Sequence, residues 1–212
     1  RELIPVLERN LVKLEGDENA ASRLSAYAMT VGLLGFCHEF LGNAGVAANY
    51  YSRGLQANPN NDGLLVGRGI LQYGTSRRAI TDFEHAVRLG SPVVWPYFFL
   101  AHYYLSTNRF DECRAMCEMG LRMQASATVK SQLEEWRAIA QAELGFPPEM
   151  VGAAFEAAIC LDPTNELAKR NQAAFEACLR ATRTPHGLEW EQKSELALRQ
   201  LGLAERRYSL AA

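Results

Sequence analysis

The sequence predicts an all-α protein built as a helical solenoid, and three observations lead there. The first is a pattern recurring every 32 to 38 residues, an aromatic followed three residues later by a small residue. The pairs are Tyr51 with Gly54, Phe83 with Ala86 and Phe155 with Ala158, and each segment closes on a proline, Pro59, Pro92 or Pro163. A period in this range marks structural units that cannot bury their apolar faces alone and must stack. The second observation is that helix follows helix between short turns, with no β-rich segment, as in antiparallel pairs stacked in sequence order. The third is composition. With 48% hydrophobic and 22% charged residues, the 212-residue chain is an ordinary globular one, long enough for one domain or one extended array.

Each element has its own local argument. Residues 2–14 place Leu3, Ile4, Leu7, Leu11, Val12 and Leu14 largely on one side, with Pro5 in the first turn where a missing N–H is tolerated. The run GDEN at 16–19 breaks that helix. A second runs over about 20–41 and ends near Gly42. A third spans 45–56, followed by the turn NPNND at 58–62. Helices at 62–73 and 76–89 lead to the Ser91–Pro92 turn, and further pairs occupy 93–106 with 109–122 and 128–144 with 148–160. The segment VVWPYFFL (93–100) has strand-like composition. Pro96 would remove a ladder donor, so the helix is the better assignment. One more helix covers 164–182. After the interruption at Thr184, Pro185 and Gly187, a final amphipathic helix is expected at 188–202, with a frayed tail.

Bulk properties exclude several functions. A net charge of −2 and a pI near 6.1 give no basic stripe for nucleic acid, so no nucleic-acid partner is expected. The most apolar stretch, 24–38, carries Gly, Ser and Thr and reads as a buried helix, so no membrane insertion is expected. Five cysteines, an odd count without a C-x-x-C pair, fall on apolar helical positions and read as small hydrophobes. The four histidines lack metal-ligand spacing, and Cys113 and Cys117, one turn apart, have no nearby histidine; no metal and no cofactor is expected. The acids of DFEH (82–85) and FDECR (110–114) read as solvated charge. Phosphate-loop, dinucleotide and nucleophile-elbow motifs are absent, so the chain reads as no enzyme. It opens on Arg1 rather than Met, as a processed or trimmed product would. That leaves a removed signal peptide open, with a soluble, cytoplasmic location favoured.

The repeat resembles the tetratricopeptide repeat, a 34-residue helix pair. About four units over 28–165 carry the resemblance. The first (28–61) has Val31, Leu34, Gly35, Ala47, Tyr51, Gly54 and Pro59. The second (60–93) has Gly63, Val66, Gly67, Ile70, Ala79, Phe83, Ala86 and Pro92. The third (94–127) has Tyr97, Leu100, Ala101 and Tyr104, then Phe110, Cys113, Cys117 and Gly120. The fourth (132–165) has Trp136, Ile139, Ala140, Phe155, Ala158 and Pro163. Departures are Cys117 for the aromatic, His38 for the first-helix Tyr, and no Pro after the third unit. The resemblance implies a right-handed superhelical solenoid. Residues 1–27 would form an N-terminal helix and the start of a long second one, 28–182 the array with its C-terminal capping helix at 164–182, and 183–212 a C-terminal helix and tail, packing on the array.

The resemblance also implies a partner site, since such arrays take an extended peptide or a helix in a concave groove lined by the first helices. The lining maps to Met29, Gly32, Phe36, Glu39 and Phe40 in the first unit and to Asn61, Leu64, Arg68, Leu71 and Gln72 in the second. The third contributes Trp95, Phe98, His102, Leu105 and Ser106, and the fourth Arg137, Gln141 and Leu144. Partner contact is expected of Phe36, Phe40, Leu64, Arg68, Leu71, Trp95, Phe98, His102 and Arg137, because apolar, aromatic clusters mark interaction surfaces when they stay open. The competing reading buries those aromatics against the array's own helices, or fills the groove with 188–202 through Leu188, Trp190, Leu196, Leu198 and Leu201. A subclass that grips C-terminal carboxylates needs Lys and Asn where this chain has Gly32, Phe36, Leu65, Trp95 and Phe99, so that specificity is not expected. The function expected is a protein-binding scaffold or adaptor. The alternative is a structural or self-assembling module, a homo-oligomer or a subunit of a larger assembly.

Overall fold

The computed structural model describes residues 2–15, 20–181 and 184–209, and the regular secondary structure among these described residues is helical, joined by turns and irregular segments. The helices are α1 (Leu3–Glu15), α2 (Ala20–Phe40), α3 (Ala44–Ala57), α4 (Asp62–Gln72), α5 (Arg78–Arg88), α6 (Trp95–Ser106), α7 (Phe110–Leu121), α8 (Ala127–Glu143), α9 (Pro148–Leu161), α10 (Glu166–Arg180) and α11 (Glu195–Ser209). The GDEN break at 16–19 and the end of the tail lie outside the described residues. VVWPYFFL enters α6, with Pro96 in its first turn, where the ring's fixed φ suits the helix. Helices α4, α8 and α10 begin on Asn61, Ser126 and Asn165, whose side chains accept from the N–H three residues on.

The helices pack as sequential antiparallel pairs, α2 with α3, α4 with α5, α6 with α7 and α8 with α9, and α10 covers α9. Two compact units share them: one contains α1–α5 and α11, the other α6–α10 and the chain as far as Ser194.

In the first unit the aromatic of each second helix fills space that glycines of the first helices leave. The Tyr51 ring lies between α2 and α4. A Cβ on Gly67 would stand 2.9 Å from it, and one on Gly35 would stand closer still. Gly54 likewise admits Leu64 and Val31, and Gly69 admits Phe83. The aromatic-to-small pattern is thus a packing code: ring and glycine are complementary volumes at the close approach of helices. α1 closes one end by placing Leu7 and Leu11 against Val31 and Leu34. Asp82, expected to be solvated, is instead buried and forms a two-point ion pair with Arg68, both oxygens at 2.7 Å. Its place on α5 faces α4 rather than water, and burial of both charges is sustained by that paired geometry.

In the second unit Phe98 meets Trp136 at 4.8 Å between ring centroids, Trp95 stands edge-on to Phe98, and Phe155 contacts Phe175. Cys113 and Cys117 are buried free thiols facing this core. Burial pushes the Cys117 thiol well up, so it stays a protonated apolar group.

The last helix begins at Glu195, not at 188. Residues 188–194 form no helix or turn, and main-chain groups of Glu191 and Lys193 bond to α10 and α6 instead of closing helical turns on themselves.

Candidate peptide groove

In the second unit α6, α8 and α10 are the first helices of successive pairs, and they are neighbours. Residues 186–193 lie along the face they form, and the contacts begin at the C-terminal end of α8. The Glu143 carboxylate accepts the Gly187 N–H at 3.1 Å from both oxygens and the Trp190 indole N–H at 2.7 Å, with His186 3.8 Å away. The Trp190 ring stacks on Phe155 at 6.3 Å. Gly187 has φ +73, a left-handed turn that only glycine adopts readily, and this turn points its N–H at the carboxylate.

One residue further on, Asn171 of α10 grips the main chain of this segment, the strap, at two points. Its Oδ1 accepts the Glu191 N–H at 2.9 Å, and its Nδ2 donates to the Glu191 carbonyl at 2.9 Å. This pairing satisfies both main-chain groups of one residue as a neighbouring strand would, without regard to its side chain. The second Nδ2 hydrogen goes to Glu135 Oε1 at 2.8 Å. Glu135 is fully buried and also accepts from Gln132 and from Asn165, the cap of α10. Burial pushes its carboxyl up to about 7, against the opposing pull of the Asn165, Asn171 and Gln132 donors and the Lys193 charge. The Asn171 amide is therefore fixed in orientation from beneath.

The path ends at α6, where His102 Nε2–H donates to the Lys193 carbonyl at 3.2 Å. Burial pulls the His102 pKa down to about 4, so the ring is neutral near pH 7, and the Lys193 bond acts in the other direction. The Lys193 side chain lines a cavity of about 320 Å³ with Thr128, Asp162 and Asn165. The Asp162 carboxyl is held below its usual range, chiefly by the Thr164 hydroxyl and in part by Lys193.

In the first unit α11 lies against α4. Arg199 donates to the Leu71 carbonyl, Leu198 is fully buried, and Arg206 stands 3.2 Å from Glu39, which also accepts the Tyr51 hydroxyl at 2.8 Å. Burial raises the Tyr51 pKa above its usual value and keeps the hydroxyl a donor.

The residues expected to contact a partner are placed unequally. Phe98 is 0% exposed and Trp95 8%, both in the core cluster with Trp136, so neither presents the open ring that the sequence suggested. Leu64 is buried against Gly54, Leu71 is buried, and Arg68 is committed to Asp82. His102 is in the groove and holds the strap. Arg137 pairs with Glu134 on its own helix, Phe36 is half-buried, and Phe40 is 60% exposed. Sequence reasoning passed over Glu143, Asn171 and Glu135. Their signal was a set of polar residues (Gln132, Glu135, Asn171) inside otherwise apolar buried faces, where a polar group is retained only with partners.

No family model matches the chain, and no curated protein matches it. Among solved structures it is similar to a chain in the crystal structure of the APC/C hetero-tetramer Cut9-Hcn1, with 18% identity and a TM-score of 0.56 over 73% of this chain. That match covers 32% of the other chain's length. The likeness is one of fold. The helix pairs pack in the manner of tetratricopeptide repeats. No described helix is long and apolar enough to cross a membrane, and no cluster of three His, Cys, Asp or Glu among the described residues could hold a metal ion.

Proposed function

We propose that this chain is a non-catalytic protein-interaction module that holds an extended polypeptide across the face of α6, α8 and α10. The observation that carries this reading is the two-point grip of Asn171 on the main-chain N–H and carbonyl of one residue, backed by a buried network that fixes the amide. A buried amide aimed at a backbone serves binding better than stability, since an apolar contact would close the same space at lower risk of unsatisfied groups. The similar chain in the Cut9-Hcn1 structure stands in a hetero-tetramer, which agrees with a role in assembly.

The test is selection of peptides from a displayed random library on the full chain, repeated with Asn171→Ala. A recurring set of extended peptides that the variant loses supports the reading. An empty selection, or peptides that both proteins hold equally, removes it. Self-assembly is the second reading, favoured by the apolar stripe of Met29, Leu33 and Phe40, which are 63%, 43% and 60% exposed on one side of α2. A mass in solution that rises with concentration, and stays monomeric in Phe40→Ser, would establish it.

A further inference from the structure

The segment in the groove belongs to the chain itself, and its contacts specify a ligand. They recur with a spacing of three: Gly187 at the turn over Glu143, Trp190 between Glu143 and Phe155, and Lys193 at the Asp162 cavity, with the main-chain N–H and carbonyl of Glu191 held by Asn171. Each position makes a different chemical demand. The first needs positive φ and a free N–H directed at a carboxylate. The second needs a flat ring with an N–H donor at its edge, a combination that indole has and phenylalanine lacks. The third favours a cation, because Lys193 lines the cavity together with the Asp162 and Glu166 carboxylates, and its charge helps hold the Asp162 carboxyl low. Of the intervening side chains Leu188 is half-buried, while Glu189 and Gln192 are exposed and Glu191 makes an exposed pair with Arg170.

Resting on the peptide-binding reading above, we infer that residues 187–193 are an internal occupant of this groove, and that its external ligand is an extended peptide of the pattern G-x-x-W-x-x-K that binds by displacing them. The strap suits displacement, since among its described contacts the anchors are hydrogen bonds and one ring stack, and its polar groups return to water on release. Trp190 is only half-buried, unlike Phe98, Phe99 and Trp136 of the core. An internal occupant lowers the apparent affinity for an external one by the fraction of time the groove is open.

The experiment uses the full chain and a fluorescein-labelled peptide of residues 184–196 as the probe. Trp190→Ala weakens the tethered occupant without altering the groove, so this variant should bind the probe at least tenfold more tightly than the natural chain. A probe with its tryptophan replaced by alanine should lose at least tenfold on the same variant, and Glu143→Gln added to Trp190→Ala should weaken the normal probe. Trypsin should cut after Lys193 faster in Trp190→Ala, an independent reading of strap release that needs no ligand. Helicity and melting temperature verify that each variant folds. Equal affinity of the two proteins for the probe, or no binding by a folded Trp190→Ala chain, overturns the inference, as does a shift of that variant to dimers through exchange of straps. Selected peptides that lack the pattern but depend on Asn171 would leave the peptide-binding reading standing and sink only this inference.

Discussion

His102 and Glu135 are buried ionisable side chains close to the strap, and their pH responses oppose each other. The Glu135 carboxyl is raised from 4.5 to about 7, so its contribution to stability is fully present below pH 4.5 and is lost as pH rises through 7. His102 is depressed from 6.5 to about 4, so its contribution is present above pH 6.5 and is lost as pH falls through 4. Each shift corresponds to a few kcal/mol at roughly 1.4 kcal/mol per unit, so the two slopes nearly cancel between about pH 4.5 and 6.5. Urea melts should therefore show a flat stability in that window. His102→Asn should expose a fall with rising pH, and Glu135→Gln a rise. Parallel profiles in all three proteins would contradict the opposition. At Arg68 and Asp82 the prediction concerns unpaired charge. Asp82→Ala should cost about 3–5 kcal/mol by leaving a buried guanidinium alone, whereas Arg68→Met with Asp82→Leu should recover most of it. A double-mutant cycle in denaturant measures both.

Among the elements, the ring-and-glycine complementarity decides register between helices. Gly35→Ala should destabilise the chain by about 1–3 kcal/mol, because the added methyl meets the Tyr51 ring and not a flexible side chain end. In a Tyr51→Leu background the same substitution should be nearly harmless, read as a change in melting temperature. The recurrence was legible in the sequence because it is periodic, which marked Tyr51, Phe83 and Phe155 as packing aromatics. The glycines that receive the first two rings, Gly35 and Gly67 for Tyr51 and Gly69 for Phe83, lie on neighbouring helices and not at the three-residue spacing. The groove was less legible. Trp95 and Phe98 have the composition of an interaction surface, but the size of Trp136 on α8 draws them into one buried cluster. Likewise, 188–194 has helical periodicity, which lost to hydrogen bonds that only the folded array supplies. Local pattern reports what a segment can do alone, and neither outcome was decided locally.

For the whole molecule, the order of the chain matters. The first unit is built from both ends of the sequence, with all of the second unit's residues between them. It cannot be complete until the last helix has been made. Ending the chain after Ser194 removes α11, with Leu198, Arg199 and Arg206, from the first unit and leaves the second unit's residues intact. Amide exchange should then rise in α2 and α4 and stay unchanged in α7 and α9. Uniform loss of protection would mean that the two units unfold as one.

The tether on which Trp190 is carried sets a threshold. A ligand joined to its site by a short chain competes at an effective concentration on the order of 1 mM. A free peptide offering the same three contacts would have to reach that level before it held half the grooves. Traces of a matching sequence elsewhere in a cell would go unanswered. The response is reserved for a partner that brings contacts the strap lacks, or that presents several copies of the motif at once.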